Sequence, residues 1–294
     1  MGPTDPDFIA HAGFHGMTPP FKKLGIIAGR GELPLRIAEK AADEGIYVYI
    51  FAIRGQADVT QFAGRFPVQD FRLGATLPVL RTLQAEDISD LVFAGATRRP
   101  SMLELMPDSL TTRILAQGVL RRGDDGLLRG VIDFLKKEYD ITVHPTDVIL
   151  DDVRLEKGVL GAVSPSDRAA SDIEKGREVL KALSAQDVGQ AVAIQDGLVL
   201  GIEAVEGTDA LIARCGDLKR AGEGPVLVKL SKSGQTTRAD LPTVGAETVR
   251  NAIQNGFIGI AIEAGRSIML ERDEAIRLAD AAGLFLVAVP GEGE

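Results

Sequence analysis

Short apolar runs alternate along the chain with glycine turns and amphipathic stretches. Leu24 to Ala28 (LGIIA) has the length and composition of a buried strand. Gly29-Arg30-Gly31-Glu32-Leu33-Pro34 follows, and then Ile37, Ala38 and Ala41 share one face, so strand, glycine turn and helix come in order. Pro34 suits the first helical turn. Ile46 to Ile53 predicts a second parallel strand, Leu77 to Ala85 a helix, and Asp90 to Ala94 a strand ending at Gly95. Leu128, Val131, Ile132, Leu135 and Tyr139 line one face of a helix that starts near Asp124, and Ile141 to Val143 reads as a short strand. This alternation predicts a Rossmann-like parallel sheet with its ligand site at the strand carboxyl ends.

Residues 144–167 are rich in Pro, Asp and Gly, which places a junction near Pro145 to Val153. The expected organisation is a flexible N-terminal arm over residues 1–20, a Rossmann-like domain over 21–148 and a second α/β domain over 149–294. The second half opens on a hairpin: Ala191 to Gln195 and Leu198 to Val205 flank Asp196-Gly197, a pair suited to a tight primed turn. Ala210 to Lys219 reads as a helix with Thr208 as its N-cap. After the apolar run Val226 to Val228 comes a long polar connection, Lys229 to Gly245. A helix to Gln254, a strand from Phe257 to Ile262, a short strand from Ile268 to Leu270, a helix to Ala282 and a last strand to Val289 complete the pattern.

Composition narrows the function classes. The chain of 294 residues carries a formal charge of −9, which argues against nucleic acid as a partner, although a small anionic ligand needs only local cations or helix N-termini. Three histidines, two of them in the arm, remove His-rich metal centres and Ser-His-Asp catalysis from consideration. His144, before Pro145, reads as structural, and the single cysteine, Cys215, as a small core residue in a reducing compartment. The longest apolar runs fall far short of a spanning helix, so a cytoplasmic protein with no transmembrane segment, in peripheral contact with a membrane surface, is expected.

The polar connection holds Lys229, Lys232 and Arg238 around a lone carboxylate, Asp240, the arrangement expected around a phosphorylated substrate; satisfaction of loop amides by Asp240 is the alternative. Gly29, Gly31 and the positive end of the following helix could bring amides to a phosphate, with Thr97, Arg98 and Arg99 as further partners. G-x-G-x-x-P departs from the dinucleotide fingerprint at Pro34, and the second strand ends in Arg54 instead of an acid, so NAD fits poorly and NADP survives only through Arg54. Asp124 and Asp125 are open to helix capping or to metal binding. Glu206 and Asp209, beside a helix N-terminus, are ordinary helix chemistry or ligands for Mg²⁺ shared with a diphosphate.

GIIAGRGELP, GDDGLLR, QAVAIQDGLVLGIEAVEGTDALIAR, VLVKLSKSGQTTRADLPTVG and AIEAGRSIML, in this order, resemble the UDP-2,3-diacylglucosamine pyrophosphatases of the LpxI type, from about Phe21 to Pro290. The resemblance implies metal-dependent cleavage, commonly with Mg²⁺, to UMP and 2,3-diacylglucosamine 1-phosphate (lipid X) in lipid A biosynthesis. It also implies an N-terminal domain facing the uridine nucleotide, a C-terminal domain facing the acylated sugar, and a homodimer. Asp240 matches the family's aspartate, while Thr236 stands where the family often has a second acid. The site expected on these grounds has Asp240, Lys229 and Arg238 as catalytic residues. Gly29, Arg30, Gly31, Leu33, Thr97, Arg98, Asp125, Thr208, Gln235 and Thr237 bind substrate, and Asp240, Asp124, Glu206 and Asp209 are the metal candidates. An NADP-dependent oxidoreductase and a non-catalytic nucleotide or lipid carrier are the rival functions.

Overall fold

The structure, a computed structural model, describes residues 19, 21–97, 105–116, 124–150, 155–184, 186, 188–231 and 241–291; for 115, 116, 124, 125 and 147 it describes the backbone alone. The chain divides into two compact units, whose described residues run to 150 in the first and from 155 in the second.

In the first unit, β1 (Lys23–Ala28), β2 (Tyr47–Ile53), β3 (Val68–Phe71), β4 (Asp90–Ala94) and β5 (Thr142–His144) form a sheet of order β3-β2-β1-β4-β5. Every pairing is parallel, with Ile26 opposite both Ile50 and Val92, so the sheet is Rossmann-like. Parallel strands are covered on both faces, which explains the unbroken apolar runs of β1 and β2. Helix α1 (Leu33–Asp43) buries Leu33, Ile37, Ala38 and Ala41. On another side, α2 (Leu77–Ala85), α3 (Ser109–Ala116) and α4 (Asp124–Tyr139) add Leu80, Leu83, Leu110 and Ile132 to a core with Phe51, Leu91 and Val143. β3 and α3 were not anticipated. Gln69 and Asp70 break the apolar run of β3, and this edge strand uses Asp70 outside the core, in an ion pair with Arg54. β5 begins one residue later than its apolar run suggests because pairing with β4, Leu91 opposite Val143, sets the register. His144 is structural, as expected: its Nε2 lies 2.7 Å from Asp90 Oδ1 and its ring packs on Phe21.

The second unit holds a six-stranded mixed sheet. Its strands are β6 (Gly158–Val159), β7 (Ala191–Gln195), β8 (Leu198–Ile202), β9 (Val226–Lys229), β11 (Gly259–Glu263) and β13 (Phe285–Val289), in the order β6-β13-β11-β9-β7-β8. β9, β11 and β13 are parallel; β7 and β8 extend one side and β6 the other by antiparallel pairing. A separate pair, β10 (Thr243–Val244) and β12 (Ile268–Met269), runs parallel. One face of the main sheet packs Leu227, Ile260 and Leu286 with Leu211, Ile212 and Val249 from α6 (Thr208–Asp217) and α7 (Ala246–Gln254), and with Ala275 and Ala279 of α8 (Arg272–Ala282). The opposite face packs Val192, Ile194 and Val228 with Ile173 and Leu180 of α5 (Asp167–Ser184). α5 was missed because its buried stripe uses small residues: a Cβ on Gly176 would stand 2.6 Å from Val228 Cγ2, so the helix lies close on the sheet.

The hairpin forms where Asp196-Gly197 predicts it. Both residues have positive φ, 56° and 75°, as a primed turn requires. Buried Asp172 of α5 accepts the Asp196 and Gly197 amides at 2.9 and 2.6 Å, tying the turn to the helix beneath it. Cys215 is buried in α6, and burial pushes its thiol pKa up, which suits a core residue and not a nucleophile. Among the described residues, no helix is long and apolar enough to cross a membrane.

Candidate active site

In the first unit, the turn after β1 lies at the strand carboxyl ends, but its glycines answer first to the backbone. Gly29 N donates to Ala94 O at 2.8 Å, Arg30 N to Ala96 O at 2.8 Å, and Ala96 N returns a bond to Arg30 O at 3.0 Å. A Cβ on Gly29 would stand 2.6 Å from Ala96 O, so glycine is required there by the crossing of two chain segments. Two amides of the expected phosphate cradle are therefore committed inside the protein. Gly31, at φ 92° with open space around its Cα, starts the part of the turn that faces outward, before α1. Arg30 and Thr97 are exposed, whereas Leu33 is buried. Arg54, the residue on which an NADP reading depended, donates Nε to Asp70 Oδ2 at 2.7 Å.

The second unit assembles side chains instead. Lys229 ends β9, and its Nζ donates to Thr208 Oγ1 at 2.9 Å and to Thr243 O at 3.0 Å. Thr208 Oγ1 donates in turn to Glu203 Oε1 at 2.8 Å, while Glu203 Oε2 accepts the Gln190 amide at 2.9 Å. Thr208 is thus the first residue of α6 and not its N-cap; Gly207 holds the cap position, and the Thr208 hydroxyl serves a tertiary contact. One strand over, buried Glu263 ends β11 and accepts both the amide and the hydroxyl of Ser231. Ser231 precedes and Leu241 follows the connection that carries Asp240. On the far side, Leu241 and Pro242 are buried, and Ile268 N donates to Pro242 O at 2.8 Å. Both flanks are therefore anchored in the second unit.

Other expected site residues have simpler surroundings. Glu206 is exposed and receives Arg214 through Nη2 at 2.8 Å and Nε at 3.2 Å, so this guanidinium holds its carboxyl pKa below the ordinary range. Asp209 Oδ1 accepts Asn251 Nδ2 at 3.0 Å. Asp124 and Asp125 open α4, their side chains beyond the description. Arg98, Gln235, Thr237, Arg238 and Asp240 lie outside the described residues. Among the described residues, no group of three or more His, Cys, Asp or Glu converges on a metal position. Mg²⁺ can nevertheless be held by as few as one or two carboxylates when substrate oxygens complete its shell. Asp209 suits that role better than Glu206, whose charge is already matched by Arg214.

Sequence reasoning passed over Glu203 and Glu263. Each stands at the end of an otherwise apolar strand run, LVLGIE and GIAIE, and that placement is the cue: an acid that a core strand carries inward needs built-in donors.

The fold places the chain among two-unit α/β proteins with polar groups gathered at the carboxyl ends of parallel strands. Comparison with known proteins gives the family. Residues 23–153 match the profile of the LpxI N-terminal domain and residues 156–287 that of the LpxI C-terminal domain. The chain is 37% identical over 276 residues to the UDP-2,3-diacylglucosamine pyrophosphatase LpxI of Caulobacter vibrioides, spanning 91% of this chain and 98% of that protein. It therefore belongs to the LpxI family. Among solved structures, the UDP-glucose 4-epimerase of Thermus thermophilus in complex with NAD is similar at 14% identity and a TM-score of 0.31, covering 92% of this chain and 87% of that one. A likeness of that degree bears on neither fold nor ligand.

Proposed function

We propose that the chain hydrolyses the diphosphate of UDP-2,3-diacylglucosamine, releasing UMP and 2,3-diacylglucosamine 1-phosphate in lipid A biosynthesis. The observation that carries this reading is the near full-length kinship with the Caulobacter vibrioides pyrophosphatase. The local chemistry supports it. Phosphoryl transfer to water needs positioning and charge neutralisation above all. Lys229 brings positive charge to the end of β9, with Thr208 at the first turn of α6, where helix amides favour an anion. Arg238 adds a second cation from the adjoining connection.

Asp240 positions the metal or the attacking water in this reading; an unperturbed carboxylate pKa of about 4 makes it a poor base at neutral pH. A divalent cation, Mg²⁺ by preference, would supply charge neutralisation of the diphosphate, with Asp240 as its first candidate ligand. The turn from Gly31 to Leu33 and Thr97 serve the uridine nucleotide, and the second unit serves the acylated sugar. The substrate's two acyl chains make peripheral contact with a membrane surface part of the proposal.

The test is incubation with UDP-2,3-diacylglucosamine in Mg²⁺ or in EDTA, beside an Asp240→Ala variant, following UMP and the sugar phosphate. Metal-dependent release by the unaltered protein and its loss in the variant are expected. Binding without cleavage would favour the carrier function, and equal rates in EDTA would remove the metal from the proposal.

A further inference from the structure

We propose that Glu203 is a positioning residue for this hydrolytic site, acting through Thr208 on the Lys229 ammonium. The inference rests on the function proposed above. Its basis is the direction of three protons. A threonine hydroxyl has one proton to donate and lone pairs to accept with. Thr208 donates that proton to Glu203 Oε1 at 2.8 Å, so in its 2.9 Å contact with Lys229 Nζ the hydroxyl oxygen is the acceptor. Glu203 Oε2 meanwhile accepts the Gln190 amide. The order is ammonium to hydroxyl to carboxylate, and only an acceptor at residue 203 sustains it.

The placement of Glu203 is tightly fixed. It is 9% exposed, its own amide donates to Ala191 O at 2.8 Å, and Gly189 lies so close that a Cβ there would stand 1.9 Å from the Glu203 carbonyl oxygen. A neutral amide in this position has one acceptor oxygen for two donors, Gln190 N and Thr208 Oγ1. If its NH₂ turned to Thr208, the hydroxyl would have to accept there and send its proton elsewhere. The Thr208 oxygen could still take Lys229 Nζ on its second lone pair, but the negative carboxylate that now stands behind that contact would be gone, while the bond to Thr243 O would stay. Positioned cations are effective because their orientation is set before the substrate arrives.

The experiment measures kcat and KM for UDP-2,3-diacylglucosamine in Glu203→Gln, Thr208→Val, Thr208→Ser and Lys229→Met, with a thermal melt of each. A side-chain spectrum of ¹⁵N-lysine-labelled protein accompanies them, the Lys229 signal being assigned by its loss in Lys229→Met. Expected is a fall in kcat of about 10- to 100-fold in Glu203→Gln and Thr208→Val, with KM moving by no more than about twofold. The Lys229 signal should shift in both variants. Thr208→Ser, which keeps the hydroxyl, should recover most of what Thr208→Val loses. Lowered melting temperatures with unchanged kcat and an unmoved Lys229 signal would overturn the inference, and loss of turnover in Lys229→Met would then leave the hydrolytic reading standing. Absence of cleavage by the unaltered protein would sink that reading and the positioning role together.

Discussion

The turn after β1 and the strand end at Lys229 occupy matching places in their two units, each at the carboxyl edge of parallel strands, yet they are built from different materials. The first is made of backbone: Gly29 bonds Ala94, Arg30 and Ala96 bond each other, and the missing side chain of Gly29 makes room for Ala96 O. The second is made of side chains, with Lys229, Thr208 and Glu203 linked in series. A glycine-rich turn thus reports first on how closely two chain segments pass, and on ligands only through the amides left facing outward. An acid inside an apolar strand run reports on a polar group that the fold has to satisfy, which is a more direct pointer to chemistry.

The contrast can be broken by substitution. Lys229→Met should have the largest effect, lowering turnover by about 100-fold or more with a modest change in melting temperature, as assays of UMP release beside a thermal melt would show. A wild-type rate would mean that the second unit's polar chain is scaffolding. Gly29→Ala should act in the opposite sense, destabilising the first unit by about 1–3 kcal/mol through the clash with Ala96 O, measured by urea unfolding. Gly31→Ala meets no neighbour and bears only the strain of φ 92°, about 1 kcal/mol; a larger loss of uridine nucleotide affinity than of stability would show that this part of the turn faces the ligand.

The smallest effect concerns acid. Burial alone would raise the pKa of Asp90, but hydrogen bonds from His144 and Ser89, with the charges of His144 and Lys136, outweigh it and leave the value lowered. The unfolded chain then takes up the proton first. The stabilisation is complete above the unfolded value of about 4 and is lost as pH falls through the lower folded one. Urea midpoints at pH 5 and pH 3 should therefore differ less for Asp90→Asn than for the unaltered protein, and an equal difference would remove Asp90 from the account.

Where apolar positions are continuous or helically spaced, the sequence is easy to read: β1, α2 and β4 fall on the stretches that predict them, and Asp196-Gly197 makes its turn. β3 escaped because an edge strand tolerates Gln69 and Asp70, and α5 because close packing on the sheet favours Gly176 and Ala169 over large residues that would advertise a stripe. In the candidate site, Lys229 and Thr208 were legible from their loops, but the partner of Thr208 was not. Helix-capping rules assigned its hydroxyl to the backbone, and a tertiary bond to Glu203 took it instead.

Asp172 beneath the hairpin turn has a consequence for how the chain finds its shape. The contact joins residues only 24 and 25 positions apart, so α5, β7 and β8 can assemble while little of the chain must be looped out. β9 closes on β7, and β11 on β9, over longer spans: Val226 lies opposite Ile194, and Gly259 opposite Val226. In pulse-labelled hydrogen exchange during refolding, the amides of β8 should gain protection before those of β11, and Asp172→Ala should slow that early phase.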